Sequence, residues 1–143
     1  MENFVPFEIA KKLKEKGFTC QYPIAMYNEL GSFHALYTSA DHNPNIKSVF
    51  GNREYYDYDD FDDKDCVCPT ISQVLKWLRE KKNYHIEFVG NACGYLFIIS
   101  DVPSEGGTDR YCSDYSGPND GGTWDKYEDC AIASIEYVLD NLI

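Results

Sequence analysis

The chain has 143 residues, of which 43% are hydrophobic and 15% aromatic, and it carries a net charge of −11 at pH 7. Length and composition fit one folded domain, 1–143, able to bury roughly 70% of its unfolded surface, and they exclude an intrinsically disordered chain. The charge excludes direct contact with nucleic acid phosphates or an anionic membrane surface, since both draw on clustered Lys and Arg, and it leaves a protein partner with a basic surface.

The first expected element is a helix from Pro6 to Lys16. Proline is tolerated in a first turn, where its missing N–H has no helical partner anyway. Gly17 stops the helix as a left-handed cap, and the late lysines suit the negative C-terminal end. Phe7, Ile9, Ala10 and Leu13 form its buried stripe. The same N-terminal stretch lacks the apolar run of a signal peptide, and nothing approaches the ~18 consecutive apolar residues of a membrane span. The expected location is therefore cytoplasmic, with the six cysteines reduced.

Two short strands are expected at 18–25 and 32–37, with Glu29-Leu30-Gly31 in the turn between them. Residues 38–53 carry Asn-Pro and Gly-Asn breakers and read as loop. The acidic stretch 54–65 continues that loop. Next comes a helix over TISQVLKWLREKKN, with Thr70 and Gln73 at capping-box spacing and Ile71, Val74, Leu75 and Leu78 on one face. Trp77 falls one position off that stripe. Strands follow at YHIEFV, YLFIIS and RYCSDYS, separated by GNACG and SEGG turns. Tyr84, Ile86 and Phe88 alternate against His85 and Glu87, whereas YLFIIS is apolar on both faces and so central. After the SGPNDGG loop, the last helix opens with Asp125 as N-cap and Glu128 three residues on. Its expected stripe is Tyr127, Ala131, Ile135, Val138 and Leu142. Trp124, in the turn before it, is placed to staple that helix. The order predicts an α+β fold, a single domain with an antiparallel sheet of three to five strands packed against about three helices.

The most distinctive stretch is EYYDYDDFDDKD, residues 54–65. Seven carboxylates against Lys64 give it −6 of the chain's −11. Such a focus raises the local potential and can steer a basic partner. Asp57, Asp59, Asp60, Asp62, Asp63 and Asp65 are the candidate contact carboxylates, and Tyr55, Tyr56 and Tyr58 supply the anchoring area that charge lacks. The bland alternative puts the aromatics over the core edge and the carboxylates in water.

No calcium loop fits: a frame starting at Asp57 puts Phe61 at position 5, Asp62 at 6 and Cys68 at 12, where an oxygen ligand, glycine and glutamate are needed. A frame starting at Asp60 puts Lys64 at position 5. An irregular Ca²⁺ or Mg²⁺ site stays open. Cys66-Val67-Cys68 is CxC, not CxxC, and nothing completes a zinc site. Cys93, Cys112 and Cys130 read as ordinary small buried thiols. There is no Walker loop, GxGxxG or GxSxG, so no catalytic residue, metal ligand or cofactor is assigned. A competing reading places His85, Glu87 and Tyr111 in a pocket between sheet and helices, as an enzyme or ligand-binding domain.

Three segments, NFVPFEIAKKLKEKGF, CPTISQVLKWLRE and YEDCAIASIEYVLDNLI, resemble a group of small uncharacterised prophage and mobile-element proteins of gut Bacteroidales. The group shows a similar N-terminal helix, an Asp- and Tyr-containing stretch before PTI…KWLRE, and a closing helix that ends in NLI. The resemblance implies a cytoplasmic accessory role in a bacterium or its phage, and it carries over no activity, cofactor or catalytic residue. Together the readings point to a non-enzymatic accessory protein that binds another macromolecule through its acidic, tyrosine-rich patch, as an inhibitor or a decoy that mimics DNA. Oligomeric state is not legible.

Overall fold

The computed structural model describes residues 3–20, 23–36, 55–56, 63–102, 108–113, 116–119 and 121–143, with Leu36, Tyr55 and Tyr56 described by backbone alone. The class is α+β. Contacts divide the chain into two compact units, Met1–Thr70 and Ile71–Ile143. Each holds its own sheet, rather than one sheet serving the whole chain.

The first unit opens with α1 (Phe7–Glu15), preceded by Pro6 in extended conformation. Its C-terminal end closes as expected. Gly17 takes the left-handed conformation (φ 82°), and the Phe18 N–H returns to the Leu13 carbonyl at 2.9 Å. Ile9, Ala10 and Leu13 are buried, whereas Phe7 is half-buried. The Phe7 ring meets Tyr27 at 5.4 Å, and Tyr27 meets Phe33 at 6.0 Å.

Four short strands follow: β1 (Ala25–Tyr27), β2 (Phe33–Leu36), β3 (Tyr55–Tyr56) and β4 (Cys66–Val67), in the order β3-β2-β1-β4. The first of these meets the expected 18–25 only at Ala25 and runs on to Tyr27. β1 pairs antiparallel with both β2 and β4, while β3 joins β2 in parallel through Ala35↔Tyr55 and Leu36↔Tyr56. The β1–β2 turn is closed by the Asn28 side chain, whose oxygen accepts from the Leu30 and Ser32 N–H groups at 2.9 Å. The expected 38–53 loop lies outside the described residues.

The second unit begins with α2 (Ile71–Lys81), directly after Thr70. Ile71, Val74 and Leu78 are buried as its spacing predicts, but so is Trp77, at 6% exposure, while Leu75 is half-buried. The buried stripe is therefore wider than the aliphatic spacing indicates, because an indole spans more of the helix surface than a branched side chain. Asn83, at φ 62°, ends this segment, and β5 (Tyr84–Asn91) starts at once. A two-residue turn at Ala92-Cys93 leads into β6 (Gly94–Asp101), and β7 (Asp109–Cys112) completes an antiparallel meander with β6 central. The expected SEGG turn lies outside the described residues.

The last helix, α3 (Tyr127–Asn141), buries Cys130, Ala131, Ser134, Ile135, Val138 and Leu139. Its expected capping box does not form. The helix starts at Tyr127, one residue later than that spacing requires, so Lys126 is the N-cap and gives no side-chain bond, while the Asp125 carboxylate accepts from the Asn119 amide at 2.6 Å. Tyr127 and Tyr137 of α3 meet Phe88 (4.8 Å), Tyr95 (6.1 Å) and Tyr111 (3.7 Å, stacked). α3 therefore covers the sheet face that carries Ile86, Phe88, Tyr95, Phe97, Ile99 and Tyr111. His85, Glu87, Val89, Leu96, Ile98 and Cys112 alternate onto the other face.

Candidate interaction surface

The acidic stretch belongs to the first unit, and both of its flanks are tied down there. On the N-terminal side, Tyr55–Tyr56 extends the sheet as the β3 edge strand, so this end is strand where continuous loop was expected. On the C-terminal side, the Lys14 ammonium donates to the Asp63 main-chain carbonyl and, at 2.7 Å, to that of Asp65. The helical spacing that buries Leu13 sets Lys14 on the exposed side of α1. Its ammonium bonds backbone oxygens of the stretch and so ties this flank to α1. Asp63 is exposed and Asp65 half-buried. Lys64 reaches Glu29 only at 3.9 Å. Cys66 and Cys68 follow at once, buried at 4% and 0% exposure, and carry the chain back into the core. Asp57, Tyr58, Asp59, Asp60 and Asp62 lie outside the described residues.

The thiols behind this surface are set in an apolar wall. The Cys68 Sγ–H donates to the Val5 carbonyl at 3.8 Å, and the Tyr27 hydroxyl donates to the same oxygen at 2.7 Å. Burial pushes the Cys68 thiol up to about 12, and it raises Cys66 and the Tyr27 phenol as well. These groups are neutral at pH 7, which suits a structural and not a nucleophilic role. Among the described residues no disulfide joins the six cysteines, and no group of three His, Cys, Asp or Glu side chains converges as a metal site.

In the second unit, the competing constellation is split. His85 and Glu87 lie on one face of the meander, and Tyr111 lies on the other, stacked on Tyr137 with its hydroxyl 2.9 Å from Ser116 Oγ. They form no common pocket. Cys93 and Cys112, expected to be buried, are exposed, and only Cys130 is enclosed. An open depression of about 520 Å³ lies instead at the β5–β6 turn, lined by Gly90, Asn91, Ala92, Cys93, Gly94, Tyr95 and Asp125.

That turn is clamped from outside its own strands. Thr123 Oγ1 donates to the Cys93 carbonyl at 2.6 Å, Asn119 Nδ2 donates to it at 3.1 Å, and Tyr95 and Trp124 exchange backbone bonds at 2.8 and 2.9 Å. Trp124 thus staples by backbone to β6, with its ring 5.6 Å from Phe97. Sequence reasoning missed Lys14, Asn119 and Thr123 as anchoring residues. A lysine late in a helix and polar residues in a glycine-rich loop carry no local sign of a partner dozens of positions away.

Among the described residues no helix is long and apolar enough to cross a membrane. Comparison of the chain with protein-family models, with curated proteins and with solved structures finds no match.

Proposed function

We propose that this protein is a non-enzymatic accessory protein of phage or mobile-element type. It binds a protein partner with a basic surface through Asp57, Asp59, Asp60, Asp62, Asp63 and Asp65, with Tyr55, Tyr56 and Tyr58 as anchors. One observation carries the reading: a stretch holding −6 of the chain's −11 charge is tied at both flanks, by the β3 pairing and by Lys14 on its main chain. Restraint of the two flanks lowers the ordering cost of recognition, and the net negative charge of the stretch favours steering. A surface presenting carboxylates as DNA presents phosphates suits an inhibitor or decoy of a nucleic-acid-binding protein.

The test is affinity capture with the wild-type chain and with all six aspartates changed to asparagine. The wild type should retain a basic protein at low salt and release it as salt rises, and the asparagine variant should retain none. Undiminished capture by the variant would remove the reading. A second reading, binding of a divalent cation by the same carboxylates, predicts a higher melting temperature with millimolar Ca²⁺; identical melts with calcium and with chelator would end it.

A further inference from the structure

The two edges of the meander are unlike. β7 is a short edge whose pairing with β6 shifts register between Ile99 and Ser100, and its exposed Arg110 is held by Asp101 at 2.8 Å. A bulge and a charge on a short strand are the usual protection of a sheet edge. β5, YHIEFVGN, is twice as long, pairs with β6 without interruption from Tyr84↔Asp101 to Asn91↔Gly94, and carries neither Lys nor Pro.

Its bonding direction can be assigned. The Val102 N–H donates to the Asn83 carbonyl, which makes positions 83, 85, 87, 89 and 91 the ones that bond β6. Consistently, Tyr95, Phe97 and Asp101 of β6 turn their N–H groups the other way, to Trp124, Ser113 and Thr108. Tyr84, Ile86, Phe88 and Gly90 therefore point their backbone N–H and C=O groups away from the sheet. Among the described residues nothing pairs with them.

From this edge we infer that β5 pairs antiparallel with β5 of a second copy of the chain, about a two-fold axis at Ile86, to give a continuous six-stranded sheet. Side-chain complementarity selects both the occupant and the register. With Ile86 opposite Ile86 of the second copy, Tyr84 lies opposite Phe88, and His85 lies opposite Glu87 twice over, on the face away from α3. About six main-chain bonds form. A shift that centres the pairing on Glu87 sets like charges directly opposite each other, which is destabilising. Centring on Phe88 sets Glu87 against Val89 and forfeits the pairing. A strand whose side chains complement their own copies in one register is what an isologous contact requires.

The experiment is sedimentation velocity on the full chain over a micromolar to sub-millimolar series, for the wild type, His85→Glu, and the exchange His85→Glu with Glu87→His. Circular dichroism confirms that each is folded. The wild type should dimerise, the single variant should stay monomeric, and the exchange should restore the dimer, because it reverses the complementary pair without losing it. Amide exchange at Ile86 and Phe88 should slow as the wild type dimerises. A wild type that is monomeric throughout overturns the inference. So does a dimer indifferent to His85→Glu, or a folded exchange variant that stays monomeric. Pairing of β5 with a strand of another protein instead would also overturn it.

Discussion

The Tyr27 hydroxyl and the Cys68 thiol converge on one acceptor, the Val5 carbonyl, at 2.7 and 3.8 Å. The Val5 N–H meanwhile donates to the Pro69 carbonyl at 3.0 Å, and the Cys68 N–H donates to that of Ala25 at 3.0 Å. Three chain segments thus meet at one buried peptide, and both side chains hold it only while protonated. The thiol rises to about 12 from an ordinary 9.0, and the phenol rises from 10.0, both chiefly by burial. In the pH range between the unfolded and folded values, the unfolded chain has lost a proton that the folded chain keeps. Stability is then complete below about pH 9 and falls as pH rises, by up to ~1.4 kcal/mol per pH unit for a fully buried group. Urea midpoints measured from pH 7 to the alkaline range should decline above 9, and Tyr27→Phe should cost ~1 kcal/mol at pH 7. Midpoints that stay level to pH 11 would show that the peptide does not depend on these protons.

Thiol reactivity should follow the same burial. At pH 8 a thiol with its pKa near 12 is ionised in only on the order of one molecule in ten thousand. Cys68 and Cys130, the latter raised to about 11, should resist iodoacetamide until denaturant is added, while the exposed Cys93 and Cys112 are alkylated. Peptide mass spectrometry reads the order directly. Early modification of Cys68 in native buffer would contradict its placement.

The clamp on the β5–β6 turn depends on a position with no side chain. Gly94 has φ 133°, and a Cβ added there would sit 2.3 Å from the Trp124 carbonyl oxygen, a backbone atom that cannot swing aside. Gly94→Ala should therefore cost about 1–3 kcal/mol from strain alone, with more from the displaced Tyr95–Trp124 bonds. Thr123→Val removes one of the two donors to the Cys93 carbonyl and keeps the shape, and because Asn119 still donates to it only about 0.5–1.5 kcal/mol is expected. The residues share the clamp, so the two losses should not add in the double variant. Denaturant titration of the singles and the double checks both points, and strict additivity would mean that they act separately.

What the sequence discloses here divides by range. α1, α2, β5 and β6 are legible because each is long enough to show its period, and their ends carry Pro6, Gly17 and tight turns. The first unit's strands run only two to four residues, too short for alternation to register, and their partners are distant: Ala25 with Ala35, Met26 with Val67, Ala35 with Tyr55. The parallel β3 pairing is therefore invisible locally. Asp125 has the spacing of a helix cap, yet the helix starts one residue later, at Tyr127, and the Asp125 carboxylate accepts from Asn119, six residues earlier. The charge focus at 54–65 was readable by counting, whereas the tether at Lys14 required the fold.

That tether separates two accounts of the acidic stretch by sign. Lys14→Met keeps much of the aliphatic stem and removes one positive charge beside Asp63 and Asp65. If net field alone governs capture, the variant is one unit more acidic and should bind a basic partner more tightly. If restraint of the segment governs it, loss of the ammonium restores freedom that binding must then remove, at about 0.5–1.5 kcal/mol for each side chain newly immobilised. That corresponds to roughly two- to tenfold weaker binding. The second outcome is expected, together with only ~1 kcal/mol or less off the stability of the free protein, because the ammonium sits at the surface. Capture affinity at matched ionic strength, compared with the denaturation midpoint of the same variant, decides. Tighter capture would leave charge as the whole explanation and the Lys14 contacts incidental to recognition.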